Sequence, residues 1–62
     1  MFFTITYDIV YENGKASNVR TFTVEAESKT EATTIFYEDS PVLEEGNRYR
    51  ILSVKCQNQQ GE

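Results

Sequence analysis

Two acidic pairs, Glu38-Asp39 and Glu44-Glu45, follow a looser acidic group at Glu25, Glu27 and Glu31. Adjacent carboxylates are hard-cation ligands, but neither pair has the alternating loop spacing of a calcium site, so a solvated acidic rim is the expectation. Glu25, Glu27 and Glu31 surround the start of a helix, where the macrodipole favours negative charge and local stability accounts for them. Together the acids would give the helical side a surface suited to a basic partner, including one that normally binds nucleic acid.

General acid/base and nucleophilic chemistry find little support. The chain contains no histidine, so the commonest general base is missing and Cys56 has no imidazole to activate it as a thiolate. One cysteine and no histidine also exclude an internal disulfide and a Cys/His zinc set. Cys56 is expected as a small buried apolar residue of the last strand. The glycines at 14, 46 and 61 are isolated turn or tail residues, and form neither a P-loop nor a dinucleotide fingerprint. No catalytic residue, cofactor or metal is assigned, and the chain is expected not to be an enzyme.

Arg20, Arg48, Arg50 and Lys55 fall in or beside strands, close to Tyr49. Exposed aromatics combined with a positive groove are how a sheet binds single-stranded nucleic acid. The expected open face is mostly threonine and includes Asp8 and Glu25, which disfavours that reading unless the third strand turns Arg50 outward. Tyr11 and Tyr37 are expected at the core margin, with the ring packed and the hydroxyl wet. Tyr49 suits the core margin and an interface equally well.

The elements that position these residues are legible from periodicity. Residues 2 to 12 alternate strictly and are rich in Phe, Ile, Tyr, Val and Thr, which reads as a strand with Phe3, Ile5, Tyr7 and Ile9 facing inward. Asn13-Gly14 signals a two-residue type I′ hairpin turn, and a second strand runs from about Asn18 to Ala26. Such a turn sets Glu12 opposite Lys15, and therefore Ile5 opposite Phe22, Phe3 opposite Val24, Thr6 opposite Thr21 and Thr4 opposite Thr23. The match survives any even slip, whereas an odd one would turn the strand inside out.

Ser28-Lys29-Thr30-Glu31 has the form of a capping box, and Ala32, Ile35 and Phe36 then recur at helical spacing. Pro41 disfavours a helical Ser40 and ends the helix there. Val42 and Leu43 are expected to tuck into the core edge before a turn at Glu44-Glu45-Gly46-Asn47. A third strand spans about Arg48 to Gln57, with Leu52, Val54 and Cys56 assigned inward and Tyr49, Ile51, Ser53 and Lys55 outward.

A right-handed crossover through the helix leaves space for the first strand between the other two. The expected fold is therefore α+β: a two-layer ββαβ unit with a three-stranded antiparallel sheet of order 2-1-3 and one helix packed on one face. Residues 1–57 form a single domain and 58–62 a polar tail. At 62 residues the chain supports only one core, and single cores of this size rarely supply more than about 3 to 5 kcal/mol.

A net charge of −4 disfavours nucleic acid and anionic membrane as average partners. The N-terminus lacks the basic region and continuous apolar run of a signal peptide, which makes the cytoplasm the expected location. The leading expectation is a small acidic protein-binding module, an inhibitor or adaptor that masks a surface of another protein. Compact acidic chains of this style are frequent among phage and mobile-element products. The expected partner surface combines Phe2, Val10, Val19, Tyr49 and Ile51. The competing expectations are a homodimer through sheet face or edge and a sheet-face binder of single-stranded nucleic acid.

Overall fold

The computed structural model describes residues 1–57, so the expected tail at 58–62 lies outside the described residues. The elements are β1 (Phe2–Val10), β2 (Arg20–Glu25), α1 (Lys29–Asp39) and β3 (Arg48–Gln57). They build a two-layer α+β fold in which an antiparallel sheet of order β2-β1-β3 carries α1 on one face. β1 alternates apolar and polar residues along its length and is hydrogen-bonded on both edges.

The β1–β2 pairing has the expected register, with Ile5 opposite Phe22, Phe3 opposite Val24, Thr6 opposite Thr21 and Thr4 opposite Thr23. The route to it differs from a two-residue turn. Gly14 N–H donates to the Tyr11 carbonyl and Tyr11 N–H to the Lys15 carbonyl, both at 2.8 Å, closing a three-residue loop of Glu12, Asn13 and Gly14. Only Gly14 takes the left-handed conformation, at φ 89°, while Asn13 keeps a negative φ and its Oδ1 accepts from Lys15 N–H. This is the glycine-terminated loop that competes with the type I′ turn for Asn-Gly sequences.

That loop sets Val10 opposite Ala16, one residue away from the expected pairing. Continued down the hairpin, the offset would bring Thr21 opposite Ile5 and reverse β2. An extra residue cancels it. Ser17 N–H donates to the Ile9 carbonyl and the next pair is Tyr7 with Arg20, so Asn18 and Val19 together oppose Asp8. The Ser17 hydroxyl fills the gap in the ladder, accepting from Ile9 N–H and donating to the Asn18 carbonyl, both at 2.9 Å.

A second irregularity reassigns the faces of β3. Thr6 pairs with Ser53 and Tyr7 with Ile51, which leaves Leu52 as an extra residue. Tyr49, Ile51 and Val54 consequently all pack against the core on the helix side, while Leu52 is 46% exposed. Neither of the two alternating sets expected for β3 is correct over its whole length, because a bulge joins the first half of one to the second half of the other. Cys56 pairs with Phe3 at the sheet's end but is exposed, contrary to its expected burial, and its Sγ lies 3.9 Å from the Met1 sulfur.

α1 starts where the capping signal places it. Ser28 Oγ accepts from Glu31 N–H at 3.1 Å, while Glu31 Oε1 reaches one residue further back than in the standard box and accepts from Glu27 N–H at 2.7 Å. Thr33 and Thr34 donate their hydroxyls to the Lys29 and Thr30 carbonyls, a back-bonding that satisfies the hydroxyls at a slight cost to the helix, so the helix depends on its packing. Ala32 and Phe36 are fully buried against Phe3, Ile5 and Ala26, with Ile35 partly buried beside them.

Phe36 is the centre of the core. Its ring stands edge-on to Tyr7 at 4.7 Å, to Tyr37 at 5.1 Å, and to Phe22 and Tyr49 at 5.4 Å each. Such pairs add about 0.5 to 1.5 kcal/mol beyond the area they bury. Replacing Phe36 by Ala should therefore cost about 3 to 5 kcal/mol, as much as a core of this size supplies. Chemical denaturation followed by circular dichroism should show Phe36→Ala largely unfolded in buffer, and a cooperative transition near the parent midpoint would refute this account. Deleting Leu52 should leave the fold intact, because removing the extra residue keeps both halves of β3 on their faces. Cross-strand nuclear Overhauser contacts of Tyr49 to Tyr7 and Val54 to Ile5 check it, and loss of either set would show that the bulge is required.

Candidate functional site

The structure does not assemble the expected surface of Phe2, Val10, Val19, Tyr49 and Ile51. Tyr49 and Ile51 belong to the helix side because of the Leu52 bulge. Val10 is only 7% exposed, between its cross-strand partners Ala16 and Arg48. Phe2 and Val19 are exposed, but Val19 lies opposite Asp8, six positions along β1 from Phe2 and roughly 20 Å away at strand rise.

The open sheet face is polar. Thr4, Thr6, Thr21, Thr23 and Ser53 form its middle, and register places Arg48, Arg50 and Lys55 along its β3 side. The bulge thus sends Arg50 to the open face while taking Tyr49 off it. Cations and the aromatic platform of a nucleic-acid sheet are separated onto opposite faces.

Asp8 is 4% exposed on this polar face, and Arg50 answers it across the strand pair. Nε donates to Oδ1 at 3.0 Å and Nη2 to Oδ2 at 2.7 Å, a two-pronged grip that matches guanidinium to carboxylate. The hydrogen bond first, and the carboxylate charge second, raise the Arg50 pKa above its ordinary value. A raised basic pKa contributes stability that is fully present below the ordinary arginine value and is lost only as pH climbs through the raised one. Over the neutral range the arginine's contribution is therefore constant.

A concave feature lies elsewhere, between the end of α1 and the start of β3. An open groove of about 420 Å³ is lined by Tyr37, Pro41, Val42, Leu43, Arg48 and Tyr49, among others. Val42 and Leu43 do not tuck into the core as expected: Val42 is 98% exposed and Leu43 half-buried. Tyr37, expected at the core margin, packs one edge on Phe36 yet leaves 51% of its surface exposed.

Hydrogen bonds fix the groove's walls. Tyr49 Oη donates to the Pro41 carbonyl at 2.6 Å, and Ser40 N–H closes the helix on the Phe36 carbonyl at 3.0 Å. Asn47 N–H donates to the Glu44 carbonyl at 3.0 Å, with Gly46 at φ 91°, the type II turn that needs a glycine at its third position. Asn47 Oδ1 then accepts from Glu12 N–H at 3.0 Å, so this turn is tied to the β1–β2 loop. Pro41 in the sequence marks the helix stop, but the exposure of Val42 and the Tyr49 to Pro41 bond beside it belong to the tertiary structure and have no local signal.

Among the described residues no group of His, Cys, Asp or Glu is arranged to hold a metal ion, and no helix is long and apolar enough to cross a membrane. Among them, too, no buried side-chain polar atom lacks a hydrogen-bond partner.

Breaking the Asp8–Arg50 grip from one side strands a buried carboxylate, which is more damaging than removing both charges. Arg50→Met should lower the urea midpoint, and Asp8→Leu combined with Arg50→Met should recover much of the loss. A double variant as weak as the sum of its parts would show the two side chains to be uncoupled. Compared with protein-family models, curated proteins and solved structures, the chain matches none.

Proposed function

We propose that the protein is a non-enzymatic binding module that works by occupying a surface of a partner protein, as an inhibitor or adaptor of the kind that phage and mobile elements encode, in a cytoplasmic setting. The observation that carries the reading is the groove at the end of α1, where apolar side chains are held open to solvent on a hydrogen-bonded frame. A small rigid domain with preset walls loses little conformational freedom on binding, which is what allows a modest contact area to yield useful affinity. The absence of histidine and the engagement of Asp8 by Arg50 also favour binding over catalysis.

One observation favours a second reading. Arg48, Arg50 and Lys55 share the open face, where they could follow a single-stranded phosphate backbone. That face lacks the stacked aromatics such binders use, and Arg50 is already committed to Asp8. Self-association through a sheet edge is the third. β2 offers six residues without a proline, whereas the Leu52 bulge interrupts the edge of β3.

Three measurements separate these readings. Affinity capture from the native host, followed by amide-exchange mapping of the isolated complex, should recover a protein partner and protect one contiguous surface of this chain. A capture that yields only nucleic acid would overturn the proposal. Light scattering should give a monomer mass across a concentration series, and a dimer at micromolar concentration would favour the edge. Titration with mixed single-stranded oligonucleotides at low salt should leave the amide spectrum of β3 unchanged.

A further inference from the structure

We infer that the groove between α1 and β3 is a docking site for a cationic segment of a partner protein that carries an aliphatic or aromatic anchor residue. The inference rests on the protein-binding reading and names the surface and the partner's chemistry.

The floor and walls supply the anchor's pocket. Val42 and Tyr37 present exposed apolar surface, and Tyr49, held by its bond to the Pro41 carbonyl, is a fixed aromatic wall. The lining stretch from Ser40 to Leu43 is bracketed in sequence by Glu38-Asp39 on one side and Glu44-Glu45 on the other, and all four acids are exposed. Arg48 is the single positive charge among the lining residues. Four carboxylates flanking the lining stretch against one guanidinium in the lining give this part of the chain a net negative charge.

Helix physics sharpens the point. The C-terminal end of a helix carries partial negative charge, so Lys, Arg or His is favoured there and carboxylates are penalised. α1 has Glu38 and Asp39 in its last turn and no basic residue. Glu31 at the other end is explained by local stability, since its carboxylate accepts from Glu27 N–H beside the helix start. No such account covers Glu38 and Asp39, whose charges add to the field of the helix end and the Glu44-Glu45 pair. A cation placed beside an apolar anchor relieves that repulsion; an acidic or neutral segment does not. Charge complementarity therefore selects a basic occupant, and the concave apolar floor selects an anchored one.

The intact isotope-labelled protein provides the test, titrated with the capped hexapeptide Lys-Lys-Leu-Phe-Lys-Lys beside two controls, Lys-Lys-Ser-Ser-Lys-Lys and Glu-Glu-Leu-Phe-Glu-Glu. The anchored basic peptide should shift amides of Tyr37, Val42, Leu43 and Tyr49, with neither control doing so at equal concentration. Val42→Ser, which touches no core contact, should weaken binding about tenfold, the equivalent of losing most of one valine's burial. Glu38→Lys with Glu44→Lys should weaken it several-fold at low salt and less at high salt. Unchanged circular dichroism confirms that these exposed substitutions leave the fold intact. No shifts at millimolar peptide, equal affinity of all variants, or shifts confined to the open sheet face would each overturn the inference. If host capture still returns a protein whose footprint lies elsewhere, the binding-module reading survives without the groove.

Discussion

A three-stranded sheet covered by one helix can bury side chains on one face only, and side chains along a strand alternate faces with a period of two. Every unpaired extra residue therefore flips everything beyond it, and correct parity is the condition for having a core at all. In this protein the glycine-terminated loop after β1 is an odd displacement, and Asn18-Val19 opposite Asp8 is a second that cancels it. Leu52 is a third, and it is not cancelled. Its effect is to place Tyr49, Ile51 and Val54 on one side, a set that neither regular alternation of β3 brings together. Phe36 can then be ringed by Tyr7, Phe22 and Tyr49 from three different strands.

This explains which parts of the fold were legible in the sequence. β1 and α1 follow from local rules: strict alternation for the first, a serine cap and a short apolar stripe for the second. The β1–β2 register was legible because threonine faces threonine and apolar faces apolar in only one parity, whatever the loop does. The loop itself was not, since Asn-Gly serves both a two-residue turn and a three-residue one, and the choice depends on whether the strand beyond can absorb an odd step. Ser17 makes that step affordable by lending its hydroxyl to the broken ladder, and no turn rule points to it. A bulge such as that at Leu52 is set by what packs on either side of the strand, so neither face of β3 could be chosen as a whole. The same bulge removes Tyr49 and Ile51 from the expected partner surface by turning both to the helix side.

Charge is distributed as unevenly as apolar surface. The sheet's open face carries the basic residues of β3, and the helical side carries most of the acids, although the net charge alone suggests a uniformly acidic object. Two acids share the open face, Glu25, exposed opposite Phe2, and Asp8, which is buried and clamped. A buried carboxylate is costly, and an apolar pair of similar volume would serve stability as well or better. What a two-pronged pair adds is geometric selectivity, since Asp8 opposite Arg50 satisfies both side chains, whereas an odd slip of this half of β3 would set Tyr49 or Ile51 opposite the carboxylate. The pair sits just beyond the Leu52 bulge, where the ladder resumes after its shift and the register most needs fixing.

The groove at the end of α1 is unlike these features because nothing in the folding of the domain requires its exposed Val42 or the carboxylates that flank it. A single exposed valine is unremarkable in itself, since much of any protein surface is apolar and leaving a side chain in water costs nothing relative to the unfolded chain. The surroundings make it informative. The segment carrying Val42 is not a slack connection: it is held at Pro41 by the Tyr49 hydroxyl and at Asn47 by the turn and by Glu12. An ordered loop that keeps its apolar residue outward forgoes a burial, and carboxylates at a helix end that electrostatics would give to lysine or arginine work against stability in a domain with little to spare. Residues that oppose folding locally and lie together around a concavity are better explained by what they meet outside the chain than by what they do within it.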